Sequence, residues 1–388
     1  MKLLHGFAFL CVFSQALFAT DLDLQKIRDP KTFLEKVRRG FDVDAVRSSD
    51  GYTLLHYAAD VGSVELVLEL LERGAIKNPV MHSGNTPLST AIRSGHKDIV
   101  RIFLEQGVDP NFKLGKADKE KTHFHYYITQ TQKLDRYIYD LFIKKGANVE
   151  SKDSSGETPL MAIAGSGVEK LDHLKLLLSS RADAKAQNRE GRTPLMLAVF
   201  SLDEAMVQFL ISVKVPVNQR DFEGNTVLIG MIPTIEPNKD LEEKKLKILK
   251  LLINSGADLN ATNNEGSTVL HELVKTNEYN LLSYVIDLKP DSSKRNQRKQ
   301  TPLDMAIQKQ NWKVTEMLLK IEKNLDALDE TGFTRLHSAI QNDSIELLRL
   351  LLEAGANPDI QDREGRTAKD LALFLKNKKA IEILESGP

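Results

Sequence analysis

Two groups of histidines come nearest to a metal-binding pattern in this chain. His271-Glu272 begins like the helix of a zinc protease, but Lys275 stands where that helix needs its second histidine. His123 and His125 are two residues apart, and positions two apart on a helix point in different directions. Neither group supplies a pair of ligands, so the sequence predicts no metal site and no cofactor.

Catalytic motifs are also missing. The sequence contains no phosphate-binding loop, no G-x-S-x-G and no G-x-G-x-x-G. The single cysteine, Cys11, lies in the N-terminal apolar run, which we expect to be removed. Carboxylates are plentiful, but no two are marked out as an acid–base pair. We therefore expect a protein that is not an enzyme.

The histidines belong to a unit that residues 50–77 show most clearly. Thr53 is placed to cap a first helix, and Gly62 to end it. Gly74 supplies the backbone freedom needed to leave a second helix. The second helix is predicted from an apolar stripe at i, i+3, i+4 and i+7, namely Val64, Val67, Leu68 and Leu71. Such a unit cannot bury its apolar faces alone, so it requires copies of itself.

Copies of the unit fill most of the chain. The capping threonine recurs with gaps of 33, 36, 36, 35, 33, 42, 33, 33 and 33 residues. Its positions are Thr53, Thr86, Thr122, Thr158, Thr193, Thr226, Thr268, Thr301, Thr334 and Thr367. A period of 33 residues that starts T-P-L-H and ends near G-A-D-V-N resembles the ankyrin repeat. His56, His271 and His337 hold the histidine position of that motif.

The resemblance implies an all-α ankyrin-repeat solenoid of about ten to eleven helix–loop–helix layers with short β-hairpin fingers. Residues 20–47 are expected to form a degenerate N-terminal cap, 48–365 the repeats and 366–388 a C-terminal cap. The family also implies that each repeat histidine links neighbouring fingers by hydrogen bonds. Terminal layers have one face toward water, so divergence is expected there.

The N-terminal residues have the layout of a secretory signal peptide. Lys2 precedes an apolar core, and small residues follow at Ser14, Ala16 and Ala19. We expect cleavage after Ala19, with Ala16 as the second choice; the alternative is a buried first helix or an uncleaved anchor. Secreted eukaryotic proteins more often contain disulfides, whereas the mature part of this chain has no cysteine. We therefore expect a bacterial periplasm as its location.

Several layers are irregular. The third contains an insertion over residues 107–122 and an aromatic cluster of four tyrosines, Tyr126, Tyr127, Tyr137 and Tyr139, near Phe112, Phe124 and Phe142. Two interpretations stay open for this cluster, repacking of an irregular layer or a binding hot spot. Residues 232–240 of the sixth layer are predicted to be a loop before a helix near 241–254. The eighth layer has a basic finger, Lys289, Lys294, Arg295, Arg298 and Lys299, which is either a solvated loop or a contact for an acidic partner.

Partner contacts implied by the family lie in two rows. The finger row is the residue before each threonine: Tyr52, Asn85, Lys121, Glu157, Arg192, Asn225, Ser267, Gln300, Phe333 and Arg366. The helix-end row closes the first helices: Asp60, Arg93, Gln130, Phe200, Lys275 and Gln341. Both rows vary in chemistry from layer to layer, as a surface specialised for one partner would.

The predicted function is therefore noncatalytic protein binding in the periplasm. A formal net charge of -1 gives no overall attraction to nucleic acid or to a membrane after cleavage. We expect a monomer before partner binding and, by analogy with exported ankyrin proteins, an immunity-type inhibitor of an enzyme such as a peptidoglycan hydrolase. The alternatives are an envelope scaffold or stress factor that supports an enzyme such as a catalase, and an effector delivered to a host cell.

Overall fold

The computed structural model describes residues 29–386 except 168–169, 233–238, 277 and 330. The chain divides into two compact units, Met1–Arg189 and Glu190–Pro388. Each unit is built from pairs of helices. A short turn joins the two helices of a pair, and a longer segment leads to the next pair.

The first unit contains α1 to α9 and one short β-hairpin. The helices are α1 (Pro30–Arg38), α2 (Leu54–Val61), α3 (Val64–Glu72), α4 (Pro87–Arg93), α5 (Lys97–Glu105), α6 (His123–Gln130), α7 (Arg136–Lys144), α8 (Pro159–Ala164) and α9 (Leu171–Ser179). The strands are β1 (Val46–Arg47) and β2 (Tyr52–Thr53), which pair antiparallel. First helices stack in the order α2, α4, α6, α8, and second helices in the order α1, α3, α5, α7.

The second unit contains α10 to α21. The helices are α10 (Pro194–Phe200), α11 (Glu204–Ser212), α12 (Val227–Gly230), α13 (Lys239–Asn254), α14 (Val269–Lys275), α15 (Tyr279–Asp287), α16 (Pro302–Gln308), α17 (Trp312–Leu319), α18 (Arg335–Gln341), α19 (Ile345–Glu353), α20 (Ala368–Phe374) and α21 (Lys378–Ser386). The second helices stack without interruption from α11 to α21. α13 begins two residues before the predicted start and ends at the predicted residue.

The repeat threonines start the first helices, as predicted. In α10 the Thr193 hydroxyl accepts the backbone N–H of Met196 at 3.3 Å, which satisfies a donor that has no partner inside the helix. Pro194 follows at the first helical position, where the missing N–H costs nothing and the fixed φ suits the helix. Gly62 ends α2 in the left-handed conformation, with φ at +78°.

The buried face of α3 differs from the predicted stripe. Leu66, Val67 and Leu70 are fully buried, whereas Leu68 is 38% exposed. Six of the nine residues in α3 are apolar, so several stripes fit the helical period equally well. Only the neighbouring layers decide which of these stripes faces the core.

The fingers are turns more often than hairpins. Among the described residues, a two-stranded ladder forms only between β1 and β2, and one isolated bridge joins Lys113 to Thr122. A representative finger is closed by the Asp153 N–H, which donates to the Glu157 carbonyl at 3.0 Å. The Asp153 carboxylate accepts the N–H groups of Ser155 and Glu157, so these groups are satisfied inside a single turn and no strand extends from it.

The insertion of the third layer is folded against the preceding finger. Leu114 is 3% exposed, and its N–H donates to the Lys121 carbonyl at 2.9 Å. A single 3-10 turn, Lys116–Asp118, closes the insertion. Gly115 packs directly on the backbone of the second layer, since a Cβ placed on it would lie 1.9 Å from the Ser83 carbonyl oxygen.

Two predictions lie outside the described residues. The signal peptide and its cleavage site fall within residues 1–28, and most of the predicted sixth-layer loop falls within 233–238. Within the described ranges, no helix combines the length and the apolar character needed to cross a bilayer.

Candidate partner-binding surface

The repeat histidines hold neighbouring fingers together. The backbone N–H of Thr268 donates to His271 Nδ1 at 3.1 Å, so Nε2 carries the proton and donates to the Gln300 carbonyl at 3.0 Å. His337 makes the same pair of contacts to Thr334 and to the Arg366 carbonyl. Burial lowers the pKa of His271, which keeps the ring neutral in this role.

The two histidines of the third layer have different environments. His123 Nε2 lies 2.8 Å from the Thr86 hydroxyl and Nδ1 lies 2.8 Å from the Asp109 carbonyl, so both ring nitrogens are used within the fold. His125 is also fully buried, and neither ring nitrogen has a hydrogen-bond partner in the described part of the chain.

Finger-row residues contact the residue that lies seven positions after the repeat threonine. In the first unit, Lys121 Nζ lies 3.3 Å from the Thr129 hydroxyl. In the second unit, the Gln300 and Gln308 amides are bonded at 2.7 Å. The contact also takes an aromatic form there: Arg192 stands over the Phe200 ring at 5.2 Å and Arg366 over the Phe374 ring at 5.7 Å. In these four layers the residue before the threonine and the residue seven positions after it thus form chemically distinct pairs.

Most predicted contact residues lie at the surface. Among the predicted contacts, Ser267 is buried. The half-buried or exposed ones are Tyr52, Asp60, Asn85, Arg93, Lys121, Gln130, Tyr137, Glu157, Arg192, Phe200, Asn225, Lys275, Gln300, Phe333, Gln341 and Arg366. Tyr126, Tyr127 and Tyr139 are 4%, 3% and 1% exposed. These three tyrosines are therefore not available for a partner in this structure.

Three members of the helix-end row escaped the sequence prediction. Thr129, and not Gln130, holds the row position in the third layer, because it is the residue that meets Lys121. Gln308 and Phe374 hold it in two later layers, and Phe374 is 70% exposed. Counting seven residues from each threonine would have found all three.

The aromatic cluster of the third layer packs as a core. The Phe124 ring lies 5.7 Å from the rings of Tyr139 and Phe142, and the Tyr127 ring stacks on Phe142 at 4.9 Å. Large residues replace the small ones of a regular layer, and the layer accommodates them by burying their rings together. This geometry favours the repacking interpretation over the hot spot.

The tyrosines of the cluster differ in whether their hydroxyls are bonded inside the fold. Tyr139 Oη donates to the Ser180 hydroxyl at 2.7 Å, and Tyr127 Oη donates to the Asp135 carbonyl at 3.2 Å. Tyr137, in contrast, is 59% exposed on α7. A partner contact from this cluster stays a prediction for Tyr137 alone.

Half-buried charges surround the third and fourth fingers. Burial lowers the pKa of Lys121, while the nearby Asp153 and Glu157 carboxylates oppose that effect. Burial raises the pKa values of Asp118 and Glu157. Each of these groups would gain from an opposite charge supplied by a partner, since it is already partly removed from water.

The basic finger is partly neutralised within its own layer. Lys294 Nζ lies 3.9 Å from the Asp291 carboxylate, and Arg295 lies 3.5 Å from Asp304. Lys289, Arg298 and Lys299 are exposed as well. A contact with an acidic partner at this finger stays a prediction.

Comparison with known families decides what these layers are. Residues 28–113, 125–228 and 241–329 each match the family described as "Ankyrin repeats (3 copies)", and residues 331–363 match a single ankyrin repeat. The chain belongs to the ankyrin-repeat family. Its fold is the ankyrin-repeat solenoid, and the family is one of protein-interaction scaffolds that are generally noncatalytic.

Relatives of this ankyrin-repeat protein come from several kinds of organism. It is 28% identical over 195 residues to Rabankyrin-5 of Mus musculus, in a match that covers 47% of this chain and 16% of that protein. It is 24% identical over 272 residues to the E3 ubiquitin-protein ligase KEG of Arabidopsis thaliana, covering 66% and 16%. It is 24% identical over 214 residues to the ankyrin repeat protein B18 of vaccinia virus, covering 50% and 36%. The matches span well under half of these relatives' own lengths.

A solved structure supports the fold. The crystal structure of the ankyrin repeat domain of Bcl-3 matches with a TM-score of 0.50 and 24% sequence identity, covering 60% of this chain and 99% of that one. At this identity the likeness concerns the fold alone. What the ankyrin-repeat family adds is a protein-binding role.

Proposed function

We propose that the paired finger-row and helix-end residues of each unit form the surface that binds a partner protein. The observation that carries this proposal is the direct contact within each pair, as between Arg192 and Phe200. The side chains are held in place before any partner arrives, so little conformational entropy remains to be lost on binding. The pairs differ from layer to layer, which supports recognition of one particular surface rather than of many.

We further propose that the chain is exported and acts in the periplasm as an immunity-type inhibitor of an enzyme such as a peptidoglycan hydrolase. The support is the signal-peptide pattern over residues 1–19 and the absence of cysteine after Cys11. Inhibition would follow if the partner enzyme placed its substrate cleft against the finger and helix-end rows.

The test is a pull-down from native periplasmic extract with the mature chain, residues 20–388, followed by mass spectrometry. We expect one stoichiometric peptidoglycan hydrolase whose activity falls when the chain is added. Capture of a stoichiometric enzyme that keeps its activity, such as a catalase, would contradict inhibition and support the scaffold alternative. Absence of any specific partner in that extract would contradict the periplasmic proposal and favour delivery to another cell.

The binding surface is mapped with a double variant and a matched control. Arg192→Ala with Phe200→Ala removes one half-buried pair, and we expect at least about tenfold weaker capture of the partner. Glu204→Ala with Gln208→Ala changes two exposed residues on the second helix of the same layer and should leave capture unchanged. Equal capture by both variants would remove the finger pairs from the proposal.

A further inference from the structure

The loop over residues 131–135 separates α6 from α7 and is longer than the corresponding turns in the two preceding layers. Two residues, Gly62 and Ser63, join α2 to α3, whereas five residues join α6 to α7. Insertions in repeat proteins fall on loops at one face, and that face is often a binding face. The loop begins directly after Gln130 of the helix-end row and leads to the second helix, so it borders the surface proposed above and contains none of its residues.

The loop is held in one conformation by buried side chains. Lys170 is 6% exposed, and its Nζ donates to the Thr129 carbonyl at 2.6 Å. His173 Nε2 lies 3.0 Å from the Thr131 carbonyl, and burial together with the Lys170 ammonium lowers the pKa of His173. The hydroxyl bond of Tyr127 to the end of the loop adds a third anchor. A loop fixed in this way presents its exposed residues in a preformed arrangement.

A groove of about 530 Å³ lies between this loop and α9, within the first unit. We call it the loop groove. The residues that line it include Lys133, Leu134, Arg136, Asp172, Lys175 and Leu176. Leu134 and Leu176 are half-exposed and form an apolar floor, while the other four side chains are exposed.

Positive charge dominates the rim of the loop groove. Three cationic side chains face one carboxylate, Asp172, which is 91% exposed and 3.8 Å from Lys175. Arg136 bonds to Asp140 at 2.9 Å, with both side chains more than half exposed. Lys133 has no ion pair within the described ranges. Exposed pairs of this kind are worth little, so a partner carboxylate can replace them at small cost.

We propose that the loop groove docks an acidic polypeptide segment in which carboxylate side chains flank an apolar residue. The carboxylates would meet Lys133, Arg136 and Lys175, and the apolar side chain would cover Leu134 and Leu176. An anchored loop, an apolar floor and an excess of cations on the rim together favour this chemistry over a neutral or a basic segment. The loop groove is lined by no finger-row or helix-end residue, so the proposal does not depend on the contacts within those rows.

The test uses a fluorescein-labelled peptide that alternates glutamate and leucine, with binding to the mature chain followed by fluorescence anisotropy. We expect saturable binding that weakens as salt is raised. The triple variant Lys133→Glu, Arg136→Glu and Lys175→Glu should bind at least about tenfold more weakly. Far-UV circular dichroism checks that the variant is folded, and the single variant Lys133→Glu, on the exposed loop, should itself bind at least about threefold more weakly.

A matched control carries the same change of net charge elsewhere in the first unit. Lys31→Glu, Lys36→Glu and Lys144→Glu alter exposed residues away from the groove and should leave binding within about twofold. An equal loss of peptide affinity in the two triple variants would mean that net charge alone causes it, and would overturn the proposal. Absence of saturable binding, or groove-dependent binding of dextran sulfate in place of the peptide, would overturn it too. The Arg192→Ala, Phe200→Ala variant should bind the peptide normally, which separates this result from the proposed function.

Discussion

Lys245 Nζ lies 2.6 Å from Glu278 Oε1, and the two side chains are 4% and 6% exposed. The lysine comes from α13 and the glutamate immediately precedes α15, so this ion pair crosses from one second helix to the next. Most of the other side chains that α15 and α17 bury are apolar, such as Leu281 and Leu318. A charged pair replaces that packing here, which makes the two residues depend on each other.

Removing one partner should be far more costly than removing both. Lys245→Met leaves the Glu278 carboxylate buried without its counter-ion, and we expect a loss of about 3–5 kcal/mol in the free energy of unfolding. Lys245→Met with Glu278→Leu replaces the pair by apolar side chains and should recover most of that loss. Urea denaturation followed by circular dichroism measures both variants. A single variant within about 1 kcal/mol of the parent chain would show that the pair is solvated.

Gly115 is expected to tolerate no side chain. Its φ of -67° is open to any residue, so it is the contacts with the Ser83 carbonyl and the Gly84 Cα that oppose a Cβ. Gly115→Ala should cost about 1–3 kcal/mol, because either the insertion or the preceding finger has to move. The neighbouring exposed change Lys116→Ala should stay within about 0.5 kcal/mol of the parent in the same urea titration. Equal stability of the two variants would mean that the insertion is free to move.

The sequence predicted the layers because the chemistry that starts a first helix is local. A threonine hydroxyl and, in several layers, a proline act within four residues, so α10 begins at Pro194, directly after Thr193. The histidine contacts followed from the family resemblance, and His56, His271 and His337 each bond to their own threonine and to the next finger.

Features that depend on neighbouring layers were not predictable in the same way. The buried face of α3 could not be chosen from a helix with apolar residues on most sides. Gln130 was assigned to the helix-end row because the third layer is irregular, and only the contact with Lys121 identifies Thr129. Lys245 and Glu278 are 33 residues apart, so no local pattern joins them. The loop groove likewise requires the packing of α9 beside an inserted loop.

Two tyrosines of α7 should respond in opposite ways to substitution. Tyr139 is buried, so Tyr139→Ala should destabilise the chain by about 3–5 kcal/mol. Tyr139→Phe keeps the ring and loses only the hydroxyl bonds to Ser180 and to the Leu176 carbonyl, at a cost of about 1–2 kcal/mol. Tyr137→Ala changes an exposed residue and should alter stability by no more than about 0.5 kcal/mol. Thermal unfolding measures the three variants. An equal melting temperature for Tyr139→Ala and the parent chain would contradict the placement of Tyr139 in the core.

Buried neutral histidines should make the protein less stable in acid. Burial lowers the pKa values of His56 and His123 to about 4, below the value of about 6.5 in an unfolded chain. The unfolded state therefore takes up these protons first as the pH falls. The contribution of each ring to the free energy of unfolding is fully present above about pH 6.5. It is lost between about pH 6.5 and about pH 4, and amounts to up to about 3 kcal/mol for each ring.

His123→Asn isolates one of these contributions. Asparagine can still bond to the Thr86 hydroxyl or the Asp109 carbonyl but does not titrate, so the variant should be less stable than the parent at pH 7 and lose less on acidification. We expect the difference between pH 7 and about pH 4.5 to shrink by about 2–3 kcal/mol, measured by urea denaturation at each pH. His82→Asn changes an exposed ring and should keep the pH dependence of the parent. An unchanged pH dependence in His123→Asn would mean that His123 already takes up its proton in the folded protein, and that the buried contacts with Thr86 and Asp109 rearrange to accept it.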